Sequence, residues 1–180
     1  MRSAARFVVA AAVIASALTG CSNDEPPPKA QIEAPELGYT PIAADPARTA
    51  EDTMVLVAET VFSVRPLSEE PGDAWRRADP VLSETGTFPH RGPMVDVPRG
   101  RGQWFDWQGR GIERVVAHVK VTDEEHPADT DTVAARVLAV DLEEIGQDGT
   151  HYAGDSMTYY AMVTRSDPDD PWRVDSLMQP

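Results

Sequence analysis

The strongest constraint on the fold is a change of hydrophobic period along the chain. Over residues 46–62 the apolar residues recur at three- and four-residue steps, which predicts an amphipathic helix. Asp45-Pro46 resembles an N-cap followed by a first-turn proline, so we expect this helix to begin there. A shorter stripe predicts a second helix over 72–84. From residue 112 onward apolar and polar residues alternate instead, and this pattern is typical of half-buried strands.

Four strands are predicted in the second half of the chain. Their ranges are 112–122, 131–145, 155–165 and 171–178. The connections between them are short, and Asp148-Gly149 marks a turn between the second and third. Short connections favour an antiparallel meander. Helices followed by strands indicate an α+β domain, in which N-terminal helices pack on an antiparallel sheet of about four strands.

The N-terminal leader ends at the single cysteine of the chain. Residues 1–20 carry two arginines and no acids, and their apolar run is too short to favour a permanent membrane span. The run ends in Leu18-Thr19-Gly20-Cys21, which resembles the lipobox of bacterial lipoproteins. In that family the cysteine thiol receives a diacylglycerol, and the leader is cut just before it. The resemblance implies a signal peptide over 1–20 and lipidation of Cys21. The alternative is a secreted protein with an incidental free thiol.

Residues 21–44 are predicted to be the lipidated cysteine and a tether. The segment contains five prolines and shows neither a helical nor an alternating period. Extended at ~3.1 Å per residue, it spans roughly 70 Å. It is either a spacer that lifts the domain off the membrane or a plain disordered linker. The remaining residues, 45–180, are predicted to form one domain.

The charge of the chain excludes some partners. It has 16 Lys and Arg against 30 Asp and Glu, a net charge of −14. Removal of the leader takes away two arginines, so the mature chain carries 14 cations, 30 acids and a net charge of −16. Such a charge argues against nucleic acid or an anionic membrane face as a partner. We therefore expect the lipid on Cys21 to hold the domain at the cell membrane, on its extracytoplasmic side.

Residues 86–111 form a local exception to this acidity. The segment holds six of the 12 glycines and two of the four tryptophans, and its four arginines face only two aspartates. We interpret it as a long irregular segment, and segments of this type in compact domains often carry a binding function. The candidate partner-binding residues are Arg91, Arg99, Arg101, Trp104, Trp107 and Arg110. The alternative for both tryptophans is that they cover the open end of the core. Arg76 and Arg77, earlier in the chain, are interpreted as solvated surface charges.

The order of the elements, ending in Trp172-Arg173-Val174-Asp175, resembles the NTF2-like superfamily. Four segments also resemble uncharacterised envelope lipoproteins of high-GC Gram-positive bacteria: Phe62-Ser63-Val64-Arg65-Pro66, Ala74 to Leu82 with Arg77-Ala78, Trp104 to Trp107, and Pro127-Ala128-Asp129-Thr130-Asp131-Thr132. The resemblance implies a curved sheet that wraps around helices as a cone. Related domains occur in Mce-associated proteins and in VirB8-like components of conjugation machinery, where they act as assembly modules.

The residues give little indication of catalysis. Some NTF2-like proteins are isomerases with a tyrosine and carboxylates inside the cone, and Asp141 with Tyr159 or Tyr160 would be the counterparts here. The two tyrosines are neighbours on one strand, so at most one of them points inward. His90, His118, His126 and His151 lack the spacing of a metal site. No nucleophile elbow, P-loop or dinucleotide motif occurs, so we expect no cofactor and no metal.

The sequence thus predicts a lipid-anchored, extracytoplasmic binding or assembly module of the cell envelope without catalysis. Its partner would be an envelope protein, met through the sheet or through residues 86–111. The first alternative is a carrier that holds a small apolar ligand in the cone. The second is an isomerase-like enzyme, which would need Asp141 and a tyrosine to face each other inside the cavity.

Overall fold

The computed structural model describes residues 39–86, residue 88 and residues 100–180, with the side chain of Arg101 excepted. The predicted signal peptide, Cys21 and the tether up to residue 38 lie outside the described residues. The helices are α1 (Ala50–Phe62), α2 (Asp73–Ala78) and α3 (Gly100–Gly109), and a 3-10 turn over Asp79–Val81 follows α2. The strands are β1 (Ile112–Val121), β2 (Val133–Gly146), β3 (His151–Thr164) and β4 (Arg173–Met178).

The four strands form one sheet in the order β1-β2-β3-β4, and every neighbouring pair is antiparallel. This confirms the predicted α+β class and the antiparallel meander. The turn at Asp148-Gly149 is also confirmed: Gly149 has a φ of 76°, and the Asp148 carboxylate accepts a hydrogen bond from the Thr150 N–H. Because this turn is tight, β3 begins at His151, four residues earlier than predicted.

The start of α1 differs from the prediction. The helix begins at Ala50, because the Thr49 side chain accepts a hydrogen bond from the Asp52 N–H at 3.1 Å. The Asp52 carboxylate in turn accepts from the Thr49 hydroxyl at 2.7 Å, which fixes the cap from both sides. Asp45 closes a separate turn, in which its carboxylate accepts from the Ala47 N–H. The prediction that Asp45 caps the helix is therefore wrong.

The interpretation of residues 86–111 as irregular throughout is wrong for α3. Its ten residues, GRGQWFDWQG, include three glycines and have low intrinsic helix propensity. Tertiary packing stabilises this helix despite its low propensity, because Trp104 and Trp107 are both buried in the core. Their rings lie edge to face, with centroids 6.4 Å apart. Trp104 and Trp107 are three residues apart, so a single face of the helix carries both indoles inward.

The core lies between α1 and one face of the sheet, which we call the inner face. Alternate residues of the strands line it, among them Val115, Leu138, Val140, Tyr159 and Val163. From α1 the buried residues include Met54, Val57, Val61 and Phe62. The rings of Phe62 and Tyr159 lie 4.5 Å apart between centroids. The opposite face, which we call the outer face, carries exposed side chains such as His118, Asp141 and Tyr160.

Short segments of the helical half form one bridge with each edge strand of the sheet. Val64 forms an antiparallel bridge with Val115 of β1, through hydrogen bonds of 3.0 and 2.8 Å. Leu82 forms a parallel bridge with Val174 of β4, and the Ser83 N–H donates to the Val174 carbonyl at 2.7 Å. Each bridge occupies one residue pair of an edge strand, where an open edge would otherwise offer its backbone groups to another chain.

The residues after α1, Phe62–Pro66, connect the helices to the sheet, and we call them the 62–66 junction. Ser63 is fully buried; its hydroxyl oxygen accepts from the Ala117 N–H at 3.0 Å. Its carbonyl accepts from the Arg77 guanidinium at 2.7 Å. Arg77 is 9% exposed and also pairs with Glu69. The interpretation of Arg77 as a solvated surface charge is therefore wrong. Arg76 matches that interpretation, because it is exposed and pairs with Asp73.

A second buried arginine holds the long connection between β1 and β2. The Arg136 guanidinium donates to both carboxylate oxygens of Asp129, at 2.7 and 2.6 Å, and to Glu51 of α1 at 2.7 Å. The hydrogen bond from Arg136 holds the pKa of the Asp129 carboxyl below its usual value. This contact gives a physical role to the segment Pro127–Thr132, because Asp129 fixes that segment against β2.

Substitution of Arg77 should show how far the fold depends on the 62–66 junction. In Arg77→Met the Ser63 carbonyl and the half-buried Glu69 lose their donor, so we expect unfolding to become easier by about 3 kcal/mol. The matched control is Arg76→Met, for which we expect a change within about 0.5 kcal/mol. Urea denaturation followed by tryptophan fluorescence measures both. Equal effects of the two substitutions would contradict a structural role for Arg77.

Candidate functional site

The α3 helix is fixed to the sheet by a buried carboxylate on β2. Glu144 is 5% exposed, and one of its oxygens accepts from the Trp107 indole N–H at 2.7 Å. The other oxygen accepts from the Arg110 guanidinium, also at 2.7 Å. Both oxygens of this buried acid therefore have a donor, which is the condition for burying a carboxylate without a large loss of stability. We call the set Trp107, Arg110 and Glu144 the Glu144 clasp.

Arg110 is the residue of the Glu144 clasp whose side chain reaches the protein surface. Besides Glu144 it pairs with Asp106, one helical turn earlier, at 2.8 Å. The hydrogen bond that Arg110 donates to Glu144 is the main cause that raises the pKa of Arg110, so the side chain stays a cation. Its side chain is 43% exposed and remains within reach of a partner. Two further hydrogen bonds hold α3, from Gln108 to the Pro66 carbonyl and from Gln103 to Asp155.

The structure separates the six residues predicted to bind a partner. Arg91, Arg99 and the side chain of Arg101 lie outside the described residues. Trp104 and Trp107 are each 4% exposed, so their indoles belong to the core and offer a partner almost no surface. Of the six, Arg110 is the residue whose described side chain is accessible. Partner binding by the remaining arginines stays a prediction.

Phe105, which sequence analysis missed, is the exposed aromatic residue of this segment. Its side chain is 63% exposed, more than any other large apolar residue that the structure describes. It lies between two buried tryptophans on a helix, and a residue at that position points away from the face they share. The Trp-x-x-Trp spacing could have indicated this, but only if the segment had been read as a helix. Phe105 on α3 and Arg110, which follows the end of α3, are thus the exposed aromatic and cationic side chains of this segment that the structure describes.

The outer face of the sheet brings together two histidines that are far apart in sequence. His118 and His151 both contact the Glu143 carboxylate, at 3.4 and 2.7 Å. The hydrogen bond from His151 is the main cause that lowers the pKa of Glu143. Among the residues that the structure describes, no group of three or more His, Cys, Asp or Glu side chains could hold a metal ion. We therefore interpret the cluster as an exposed set of hydrogen bonds.

Asp141 and the two tyrosines do not form the site that an isomerase would need. Asp141 is exposed on the outer face, where it accepts from the Ser156 hydroxyl at 2.6 Å. Tyr159 lies on the inner face and is buried, whereas Tyr160 is 46% exposed on the outer face. As expected, one tyrosine of the pair points inward. Because Asp141 and Tyr159 lie on opposite faces of the sheet, these two residues cannot act on one substrate.

The described end of the predicted tether packs against the domain. Ile42 is buried in the core, and its N–H donates to the Arg77 carbonyl at 3.0 Å. The Tyr39 hydroxyl donates to the Val115 carbonyl at 2.7 Å, and the Arg65 guanidinium lies 4.3 Å from the centre of the Tyr39 ring. Burial raises the pKa of the Tyr39 hydroxyl, so Tyr39 remains a neutral donor. Residues 39–42 therefore join the tether to the 62–66 junction.

In the part of the chain that the structure describes, no helix has the length and apolar character needed to span a bilayer. Comparison with protein-family models, with curated proteins and with solved structures finds no match to this chain.

The Glu144 clasp can be tested with two tryptophan substitutions that remove the same number of atoms. Trp107→Phe deletes the indole N–H that Glu144 accepts from and leaves a buried carboxylate oxygen without that donor. We expect it to reduce the free energy of unfolding by about 1–2 kcal/mol more than Trp104→Phe does. Urea denaturation followed by circular dichroism measures the difference. Equal losses would show that the hydrogen bond to Glu144 contributes nothing to the docking of α3.

Proposed function

We propose that this protein is a lipid-anchored, extracytoplasmic binding or assembly module of the cell envelope, built on an NTF2-like domain. The lipobox tetrad ending at Cys21 supports the anchor. The helices followed by a four-stranded antiparallel meander support the NTF2-like assignment at the level of element order. The module contacts a protein partner, and its role is to hold that partner at the membrane.

The observation that carries the proposal is the exposure of Phe105 on a helix whose tryptophans are buried. The tryptophans and Glu144 hold α3 rigidly, so Phe105 is presented without the entropic cost of ordering a loop on binding. Aromatic residues and arginine are the residues most enriched at the energetic centres of protein interfaces. Phe105 on α3 and Arg110 directly after its last residue provide one exposed residue of each kind.

A non-catalytic role is proposed because the described polar groups of the inner face are engaged in structural contacts. Glu144 is bonded by Trp107 and Arg110, and Arg136 by Asp129 and Glu51. A catalytic acid or base needs a free position that a substrate can reach. The carrier of a small apolar ligand remains the alternative function.

Site-specific photo-crosslinking tests the surface. We expect benzoylphenylalanine introduced in place of Phe105, in cells of the source organism, to give a discrete adduct with one envelope protein. The matched control places it at Tyr160, which is also exposed and aromatic but lies on the outer face of the sheet. An adduct at 160 and none at 105 would show that the partner binds the outer face of the sheet, and it would contradict partner binding by α3. Adducts at neither position would contradict the assembly module.

The anchor is tested separately by labelling. We expect the wild-type chain to incorporate radiolabelled palmitate and to fractionate with membranes. Cys21→Ala should remove both properties, because one thiol is the only acceptor for the lipid. Ser22→Ala is the control and should label normally. Continued labelling and membrane fractionation of Cys21→Ala would show that the lipobox resemblance is misleading.

A further inference from the structure

Leu67 is an exposed apolar residue that lies beside α3. Its side chain is 40% exposed. The carbonyl of the preceding residue, Pro66, accepts from the Gln108 side chain of α3 at 2.9 Å. Gln108 and Phe105 are three residues apart, so they are neighbours on the surface of the helix. The contact between Pro66 and Gln108 therefore places Leu67 next to the side of α3 that carries Phe105.

Two glycines leave the helix surface around Phe105 open. Gly102 and Gly109 lie three residues before and four residues after Phe105, so both are its neighbours on the helix. Within the described part of the chain, a Cβ atom added at either glycine would meet no atom within 4 Å apart from the neighbouring helix backbone. Side chains of another molecule can therefore approach the backbone of α3 beside the Phe105 ring.

We propose that Phe105 and Leu67 belong to one docking surface for an apolar, acid-bearing segment of a membrane-bound envelope protein. The surface, which we call the α3 surface, consists of Phe105, Leu67, Gly102 and Gly109. The inference rests on the proposed function and names the chemistry of its partner. A single exposed apolar side chain is ordinary, whereas two of them beside uncovered backbone offer a continuous apolar contact. The other large apolar residues that the structure describes as exposed all lie on strands.

Arg65 is the reason to expect an acid in the partner. It precedes Pro66, and its guanidinium carbon lies 4.3 Å from the centre of the Tyr39 ring, which holds the half-buried side chain in place. Glu69 accepts from the Arg65 backbone N–H and from the Arg77 guanidinium. In the described residues, no carboxylate pairs with the Arg65 side chain itself. A guanidinium held in one position without an anion is suited to a carboxylate of another chain.

The position of the tether favours a partner held at the membrane. Tyr39 contacts Arg65, next to the α3 surface, and 17 residues separate Tyr39 from Cys21. At ~3.1 Å per residue such a segment spans roughly 50 Å, so a membrane-bound protein is within reach if Cys21 is acylated. A second copy of this chain is disfavoured as the occupant, because 14 cations against 30 acids give each mature chain a net charge of −16.

Photo-crosslinking from Leu67 tests the surface. Benzoylphenylalanine in place of Leu67, in cells of the source organism, should give an adduct with the same envelope protein as at Phe105. The control position is Met178, which is 59% exposed but lies on β4, and it should give none. An adduct at 105 without one at 67 would overturn the shared surface and leave the proposed function intact. Adducts at neither position would contradict both. An adduct at 67 with a second copy of this chain, or with lipid, would also overturn the inference.

Gly102→Gln separates binding from stability. Glutamine has a higher helix propensity than glycine, so urea denaturation should show a domain at least as stable as wild type. Its side chain covers the backbone beside Phe105, so the yield of the adduct at 105 should fall about tenfold, as for the loss of one central interface contact. An unchanged yield would overturn the apolar contact.

Arg65→Gln tests for the acidic residue. It should also lower the yield of the adduct at 105 about tenfold, the loss typical of one hydrogen bond to a charged group. The control is Arg76→Gln, which removes an exposed arginine that already pairs with Asp73, and its yield should match that of wild type. Equal yields in the two arginine variants would overturn the acidic chemistry of the partner segment.

Discussion

The hydrogen bond between the Arg77 guanidinium and the Ser63 carbonyl is the contact on which the remaining packing depends. It lies at the end of α1, where the chain passes from the helices to the edge of the sheet. The same residue, Ser63, accepts from the Ala117 N–H through its hydroxyl, and the next residue, Val64, bridges β1. One buried residue therefore ties α1, α2 and β1 together. Its carbonyl would otherwise be an orphan at a helix C-terminus, which is costly in a buried position.

Buried charge is used in the same way at three places in the domain. Arg77 holds α2, a helix of six residues that is too short to be stable alone. Arg136 holds the connection between β1 and β2, and Glu144 holds the glycine-containing α3. In each case the segment has weak local preference for its structure, and a hydrogen bond or ion pair of a buried charged group ties it to a neighbouring element. Buried ion pairs add little net stability, but they favour one geometry over others.

The periodic elements could be predicted from the sequence, because burial of one face leaves a period of two or of about 3.6 in the residues. The positions of α1 and α2, all four strands, their order and the turn at Asp148-Gly149 follow from that pattern, although α2 ends at Ala78 and not at residue 84. The buried charges could not be predicted, since a charged residue is ordinarily read as solvated. Arg77 and its neighbour Arg76 look alike in sequence, and only the position of Ser63 in space separates them. Likewise, α3 is stabilised because Trp104 and Trp107 pack into the core. Such tertiary contacts cannot be predicted from the helix propensities of the local residues.

The aromatic residues of α3 differ in burial, and this difference bears on function. Trp104 and Trp107 are buried and pack α3 against the core. Phe105 lies between them in the sequence, but its side chain is exposed to solvent. A similar comparison separates the arginines. Arg77 and Arg136 are bonded by carboxylates that the fold supplies, so the fold accounts for their burial. Arg65 and Arg114 receive no such carboxylate from the described chain, although acids outnumber cations nearly two to one in the sequence.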